Sequence, residues 1–112
     1  MIYLFILSNS GKVKKVSYRD IQGGISKIPS GHRGIHGLKI AYSIRKVILL
    51  HEGSKVLAFT EDGFAAVLDP DEFRTMGLGA EGITAMRGKK VVDILEDPEV
   101  LMEIKKEVLK ND

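Results

Sequence analysis

Apolar and polar positions follow the same order twice along the chain. Leu4-Phe5-Ile6-Leu7 is an apolar run closed by Ser8-Asn9-Ser10-Gly11, and Val56-Leu57-Ala58-Phe59 is closed by Thr60-Glu61-Asp62-Gly63. Downstream, Lys14-Lys15-Val16 and Asp20-Ile21 in the first copy answer Ala66-Val67-Leu68 and Glu72-Phe73 in the second, all at an offset of 52. Gly34-Ile35-His36-Gly37-Leu38 then answers Gly79-Ala80-Glu81-Gly82-Ile83 at an offset of 45, and Val47-Ile48-Leu49-Leu50 answers Val91-Val92-Asp93-Ile94. The difference between the offsets predicts a seven-residue insertion in the central loop of the first copy. A repeat of this period marks one supersecondary unit that cannot bury its apolar face alone and stacks on its neighbour.

Period and punctuation predict the elements. Tyr3 to Ser8 and Val56 to Thr60 are short runs rich in aromatic and branched residues, and each restarts after a glycine. Asn-Ser-Gly and Glu-Asp-Gly thus read as three-residue hairpin connections whose glycine takes positive φ. Leu38 to Ile40, Val47 to Leu50, Ile83 to Met86 and Val91 to Leu95 supply further strands, about four per copy. Gly23-Gly24, Pro29-Ser30-Gly31 and the glycines at 34 and 37 rule out a regular element between Gln22 and Gly37 on this reading, leaving a surface loop. Asp97 as cap and Pro98 at the first helical position open a different pattern, with Val100, Leu101, Ile104 and Val108 at helical spacing. One amphipathic helix over about 98–110 follows, its stripe packed on its own sheet or, alternatively, on a second copy. The expected fold is mainly β, two four-stranded blades in tandem plus one C-terminal α-helix. One domain, 1–112, holds a first repeat at about 2–52, a second at about 54–95 and the helix.

Composition narrows the setting. There is no cysteine among 112 residues, so neither a disulfide framework nor thiolate chemistry is available, in keeping with a reducing cytoplasm. The apolar start, Met1 to Leu7, is too short and lacks the basic leader of a secretory signal. No run approaches the roughly 20 residues that span a bilayer, so no membrane association is expected. The net charge of +2 conceals an asymmetry: residues 1–52 carry nine Lys or Arg against two acids, and the remainder eight against thirteen. One face suited to an anionic partner is the sharper reading of that polarity; uneven but irrelevant surface charge is the plainer one.

Catalytic and ligand motifs fare poorly. Gly77-Leu78-Gly79-Ala80-Glu81-Gly82 fits the dinucleotide pattern, but Gly88 and the strand-like Val91-Val92 leave no room for the long helix that motif requires. His32 and His36 stand four apart among glycines that oppose a helix, with no cysteine or nearby carboxylate to complete a metal site. Asp69, Asp71 and Glu72 surround Pro70 as ordinary turn acids. Ser8, Ser10 and Ser30 have no recognisable base and orienting acid arranged in sequence. No enzymatic activity, metal or cofactor is expected.

The order of apolar run, turn ending in glycine, paired lysines, acid next to apolar residue, Arg-Gly loop and closing strands resembles the repeat of the C-terminal DNA-wrapping domain of the DNA gyrase and topoisomerase IV A subunits. Those repeats are blades of a β-pinwheel. Their Gly-x-x-Lys-Arg stretch is matched by Gly11-Lys12-Val13-Lys14-Lys15, and their acid and aromatic pair by Asp20-Ile21 and more closely by Asp71-Glu72-Phe73-Arg74. The gyrase box, Gln-Arg-Arg-Gly-Gly-Lys-Gly, is approximated by Gly31-His32-Arg33-Gly34-Ile35-His36-Gly37, identical at Arg33, Gly34 and Gly37. In the second copy, Met76-Gly77-Leu78-Gly79-Ala80-Glu81-Gly82 keeps only glycines of the box. The resemblance covers about residues 4 to 95 and leaves out the helix.

It implies an accessory nucleic-acid-binding protein that contacts the backbone of double-stranded DNA without reading bases. Lys12, Lys14, Lys15, Arg33 and Lys39 would face phosphate. His32 and His36 would add charge when protonated, and Gly34 and Gly37 would let the main chain come close. The competing reading of Lys14 and Lys15 is a solvated strand face. The family's ring has about six blades and this chain supplies two, so open strand edges remain for the helix to cap or for a homo-oligomer to pair. The alternative function is a non-catalytic protein-interaction module, a pinwheel-like scaffold that has lost DNA wrapping and binds a topoisomerase or other protein.

Overall fold

The computed structural model describes residues 2–26, 43–77, 80–97 and 99. The two apolar runs become the central strands of two antiparallel sheets. The first sheet contains β1 (Ile2–Ser8), β2 (Lys12–Ser17), β3 (Ile44–His51) and, later in the chain, β6 (Ile83–Thr84), in the order β3-β1-β2-β6. The second contains β4 (Val56–Thr60), β5 (Ala65–Leu68) and β7 (Val91–Glu96), in the order β5-β4-β7. The duplication is geometric as well as sequential: Leu4 faces Val16 and Leu49 as Val56 faces Leu68 and Glu96.

Both hairpins close by the same device. Gly11 and Gly63 each have φ of +86°, a region open mainly to glycine. Their amides donate to the carbonyls of Ser8 at 3.1 Å and Thr60 at 3.0 Å. The hydroxyls of Ser8 and Thr60, both buried, then accept the amides of Lys12 at 3.1 Å and Phe64 at 3.0 Å. Asn-Ser-Gly and Glu-Asp-Gly are thus the connections the sequence indicates.

Three expectations need correction. Among the described residues the blades are not both four-stranded: the second sheet has three strands, and the first reaches four by taking β6 from the second copy, through Lys12 opposite Thr84 and Val13 opposite Ile83, while the strand expected at Leu38 to Ile40 lies outside the described residues. The closing strands align at an offset of 47, since Leu49 stands where Glu96 does, so the first copy carries five extra residues rather than seven. The stretch from Gln22 is not wholly irregular, because α1 (Tyr18–Ser26) runs through Gly23 and Gly24. Ser17 Oγ accepts the amide of Asp20 at 3.0 Å as an N-cap, and Ile21 packs on Ile6 and Val16, which outweighs a helix cost of about 1 kcal/mol per glycine. In the second copy Asp69, equivalent to Ser17, caps a single 3-10 turn at Pro70–Glu72 by accepting Asp71 N at 3.0 Å. The described helix therefore lies near the N-terminus. The helix expected over 98–110 falls outside the described residues apart from Glu99, whose amide is accepted by Asp97 Oδ1 at 3.0 Å.

One core joins the two sheets. Phe5, Leu7, Val13 and Leu50 from the first meet Val56, Ala58, Val91 and Ile94 from the second, and all are buried. Each large side chain so placed contributes about 1.5–3 kcal/mol. Phe73 carries the second copy back to the first sheet, its ring edge-on to Phe5 at 5.7 Å. No helix among the described residues is long and apolar enough to cross a membrane.

Candidate nucleic-acid interface

Strand β2 lies between β1 and β6, so its side chains have neighbours on both sides. Alternation sends Val13 and Lys15 to the face of the shared core, and Lys14 and Val16 to the face of Ile6 and Ile21. The paired lysines thus leave the strand in opposite directions, and they are only 1% and 7% exposed. Lys15 Nζ donates to the carbonyl of Pro70 at 2.9 Å and lies 4.8 Å from the centroid of the Tyr3 ring. Burial lowers the pKa of Lys14 from the usual lysine range. Neither ammonium lies on the surface, where a duplex backbone would meet it. This corrects the expectation that Lys14 and Lys15 face phosphate: the glycine turn and β6 enclose the strand that carries them. Lys12 is half-buried and pairs with Glu81 at 3.0 Å. His32, Arg33, Gly34, His36, Gly37 and Lys39 lie outside the described residues.

Exposed cations gather elsewhere, at the end of the molecule where the hairpin turns converge. Asn9 N donates to Ser43 O at 2.9 Å, which fixes residue 43, just ahead of β3, beside the β1–β2 turn. Gly11 lies so close to β7 that a Cβ there would come within 2.9 Å of Lys90 Cγ and 3.2 Å of Val91 N. Glu61 N in turn donates to Lys90 O at 2.9 Å, drawing in the β4–β5 turn. Arg45 at the start of β3, Arg87 and Lys90 before β7, and Lys12 at the start of β2 therefore share this pole, and the first three are exposed. Arg87-Gly88-Lys89-Lys90 is a turn with Gly88 at φ +74°. Its three cations in four residues are a signal readable in the sequence, set in a second copy that is acidic as a whole.

Ion pairs set the balance of charge. Lys89 pairs with Asp62 at 2.6 Å and Lys46 with Asp93 at 3.0 Å, while Lys55 pairs with Asp69 at 2.7 Å at the far end of β5. The Lys89 ammonium and the Thr60 hydroxyl hold the Asp62 carboxyl at a pKa of about 2. Lys46 lowers Asp93, with Arg45 adding to the effect, and Lys55 lowers Asp69 while its own pKa rises. With these acids paired to lysines of the same chain, Arg45, Arg87 and Lys90 leave the pole cationic, with Glu61 as an exposed acid outside those pairs. Such an arrangement can hold phosphate by charge and by main-chain approach at the turns. Among the described residues, no three His, Asp or Glu side chains are placed to hold a metal ion.

No protein-family model and no curated protein sequence matches the chain. Among solved structures it is similar to the C-terminal domain of DNA topoisomerase IV, with 16% identity and a TM-score of 0.65 over 85% of this chain and 30% of that one. It is also similar to the C-terminal domain of DNA gyrase A, with 19% identity and a TM-score of 0.65 over 88% of this chain and 32% of that one. The chain thus spans under a third of the length of either. At this level of identity the likeness concerns the fold, and over 85% to 88% of this chain that fold is part of a gyrase A or topoisomerase IV C-terminal domain, a partial β-pinwheel.

Proposed function

We propose that the protein is a non-catalytic accessory module that binds the backbone of double-stranded DNA without base readout. The observation that carries this reading is the cationic pole, where Arg45, Arg87 and Lys90 stand exposed beside the turn that anchors residue 43. In this reading the phosphate-facing set also includes Arg33 and Lys39, with Gly34 and Gly37, on the strength of the sequence resemblance alone, together with Lys12 and, at low pH, His32 and His36. Lys14 and Lys15 serve the fold rather than the ligand in this reading. The likeness to domains of two DNA topoisomerases supports it. Its test is a titration of labelled duplexes of unrelated sequence. Similar affinities that fall steeply between low and moderate salt are expected; absence of binding at low salt would overturn the proposal.

A second reading, a protein-interaction scaffold that binds a topoisomerase or another protein, is favoured by one observation. Val47 and Leu49 are 44% and 48% exposed on the outer face of the first sheet, beside Ile2 at 46%. It predicts salt-insensitive capture of a defined partner and its loss on Leu49→Asp. A cytoplasmic setting suits both readings.

A further inference from the structure

The repeat leaves its two copies unequal at one place. The outer edge of β2 receives β6, whereas the equivalent edge, that of β5, receives no strand among the described residues. Other edges are guarded: β3 carries Arg45 and Lys46, β7 carries Asp93 and Glu96, and the Lys46–Asp93 pair ties these two strands together. Strand β6 is two residues long. From Phe64 to Leu68 there is no charge at all, and Phe64 and Val67 are 47% and 58% exposed. Edge strands ordinarily carry a charge, a proline or a bulge to prevent pairing, and β5 has none of these.

The direction of its hydrogen bonds can be deduced. Thr60 N donates to Phe64 O at 2.8 Å and Thr60 Oγ1 accepts Phe64 N, so both main-chain groups of Phe64 turn toward β4. In an antiparallel ladder these directions alternate. Ala66 and Leu68 therefore also bond inward, and the N–H and C=O of Ala65 and Val67 point out of the sheet edge.

We infer that this edge pairs with β5 of a second copy of the chain, antiparallel about a two-fold axis through Ala66. Ala65 of each copy then exchanges both main-chain bonds with Val67 of the other, four bonds in all, with the small Ala66 side chains closest at the axis. A second copy fits because the strand is uncharged and because Asp62 and Asp69, the acids at its two ends, are already neutralised by Lys89 and Lys55 of their own chain. The inference is independent of nucleic-acid binding.

Sedimentation equilibrium on the full chain from about 10 µM to about 1 mM tests it, the range in which so small an interface is expected to titrate. The mass should rise from 12.4 kDa toward twice that value. Val67→Pro, which removes an outward donor and no bond to β4, and Val67→Lys, which charges the edge, should both stay at the monomer mass, while Val67→Ile should associate as the wild type does. Amide exchange gives a second reading that needs no variant: the amides of Ala65 and Val67 should slow as concentration rises, and those of Ala66 and Leu68 should not change. A constant monomer mass, a mass beyond the dimer, association of Val67→Lys equal to that of the wild type, or exchange at Ala65 and Val67 independent of concentration would each overturn it.

Discussion

Lys14 and Lys15 show how a residue's role depends on what surrounds its strand. In sequence they form a basic pair; in the fold one ammonium enters each side of a sheet. Reductive methylation followed by mass spectrometry should therefore modify Lys90 quickly and Lys14 and Lys15 slowly; equal rates would contradict their burial. Lys15→Met leaves the Pro70 carbonyl without its charged donor and should cost about 1–3 kcal/mol in urea unfolding, with DNA affinity unchanged. Asp62 offers a pH test. Its folded pKa, about 2, lies below the unfolded value of about 3.9, so its stabilising contribution is complete above the unfolded value and is lost as pH falls toward 2. A carboxyl NMR titration should find the Asp62 midpoint near 2, and Lys89→Ala should move it up toward the ordinary range.

At the level of elements, the parts governed by local chemistry were legible in the sequence. Asn9-Ser10-Gly11 and Glu61-Asp62-Gly63 specify their hairpins because a glycine at positive φ is needed a fixed distance from a hydroxyl that caps the turn. Thr60→Val keeps the shape but removes the hydroxyl partner of Phe64, and should cost about 1–3 kcal/mol in urea unfolding. Helix α1 was hidden because Gly23-Gly24 reads as a breaker while the stabilising contact, Ile21 on Ile6 and Val16, is tertiary. Ser17→Ala should lower stability by about 1 kcal/mol, measured by thermal unfolding, if the cap holds that helix. The crossing of β6 to β2 was not legible either. It depends on Gly82, at φ +93°, approaching so closely that a Cβ would sit 2.7 Å from Val13 O, and no local pattern announces such an approach.

Across the whole molecule, the doubled pattern of the sequence foretold the likeness to gyrase and topoisomerase IV domains, since the order of landmarks survives where identity does not. The candidate site was only partly legible. Burial removed two of its lysines, and convergence of three turns brought Arg45 beside Arg87 and Lys90 from a distant part of the sequence. Copy-by-copy comparison favours residues that match between repeats, whereas the pole draws on cations that do not. In a binding reaction that neutralises phosphates, each lost contact lowers the slope of log affinity against log salt by about 0.9. The most direct measurement compares that slope for the wild type, for Arg45→Ala with Lys90→Ala, and for Lys15→Met. The double variant should lose about two units of slope and the Lys15 variant should keep the wild-type value. An unchanged slope in the double variant would contradict this, as would a reduced slope in Lys15→Met.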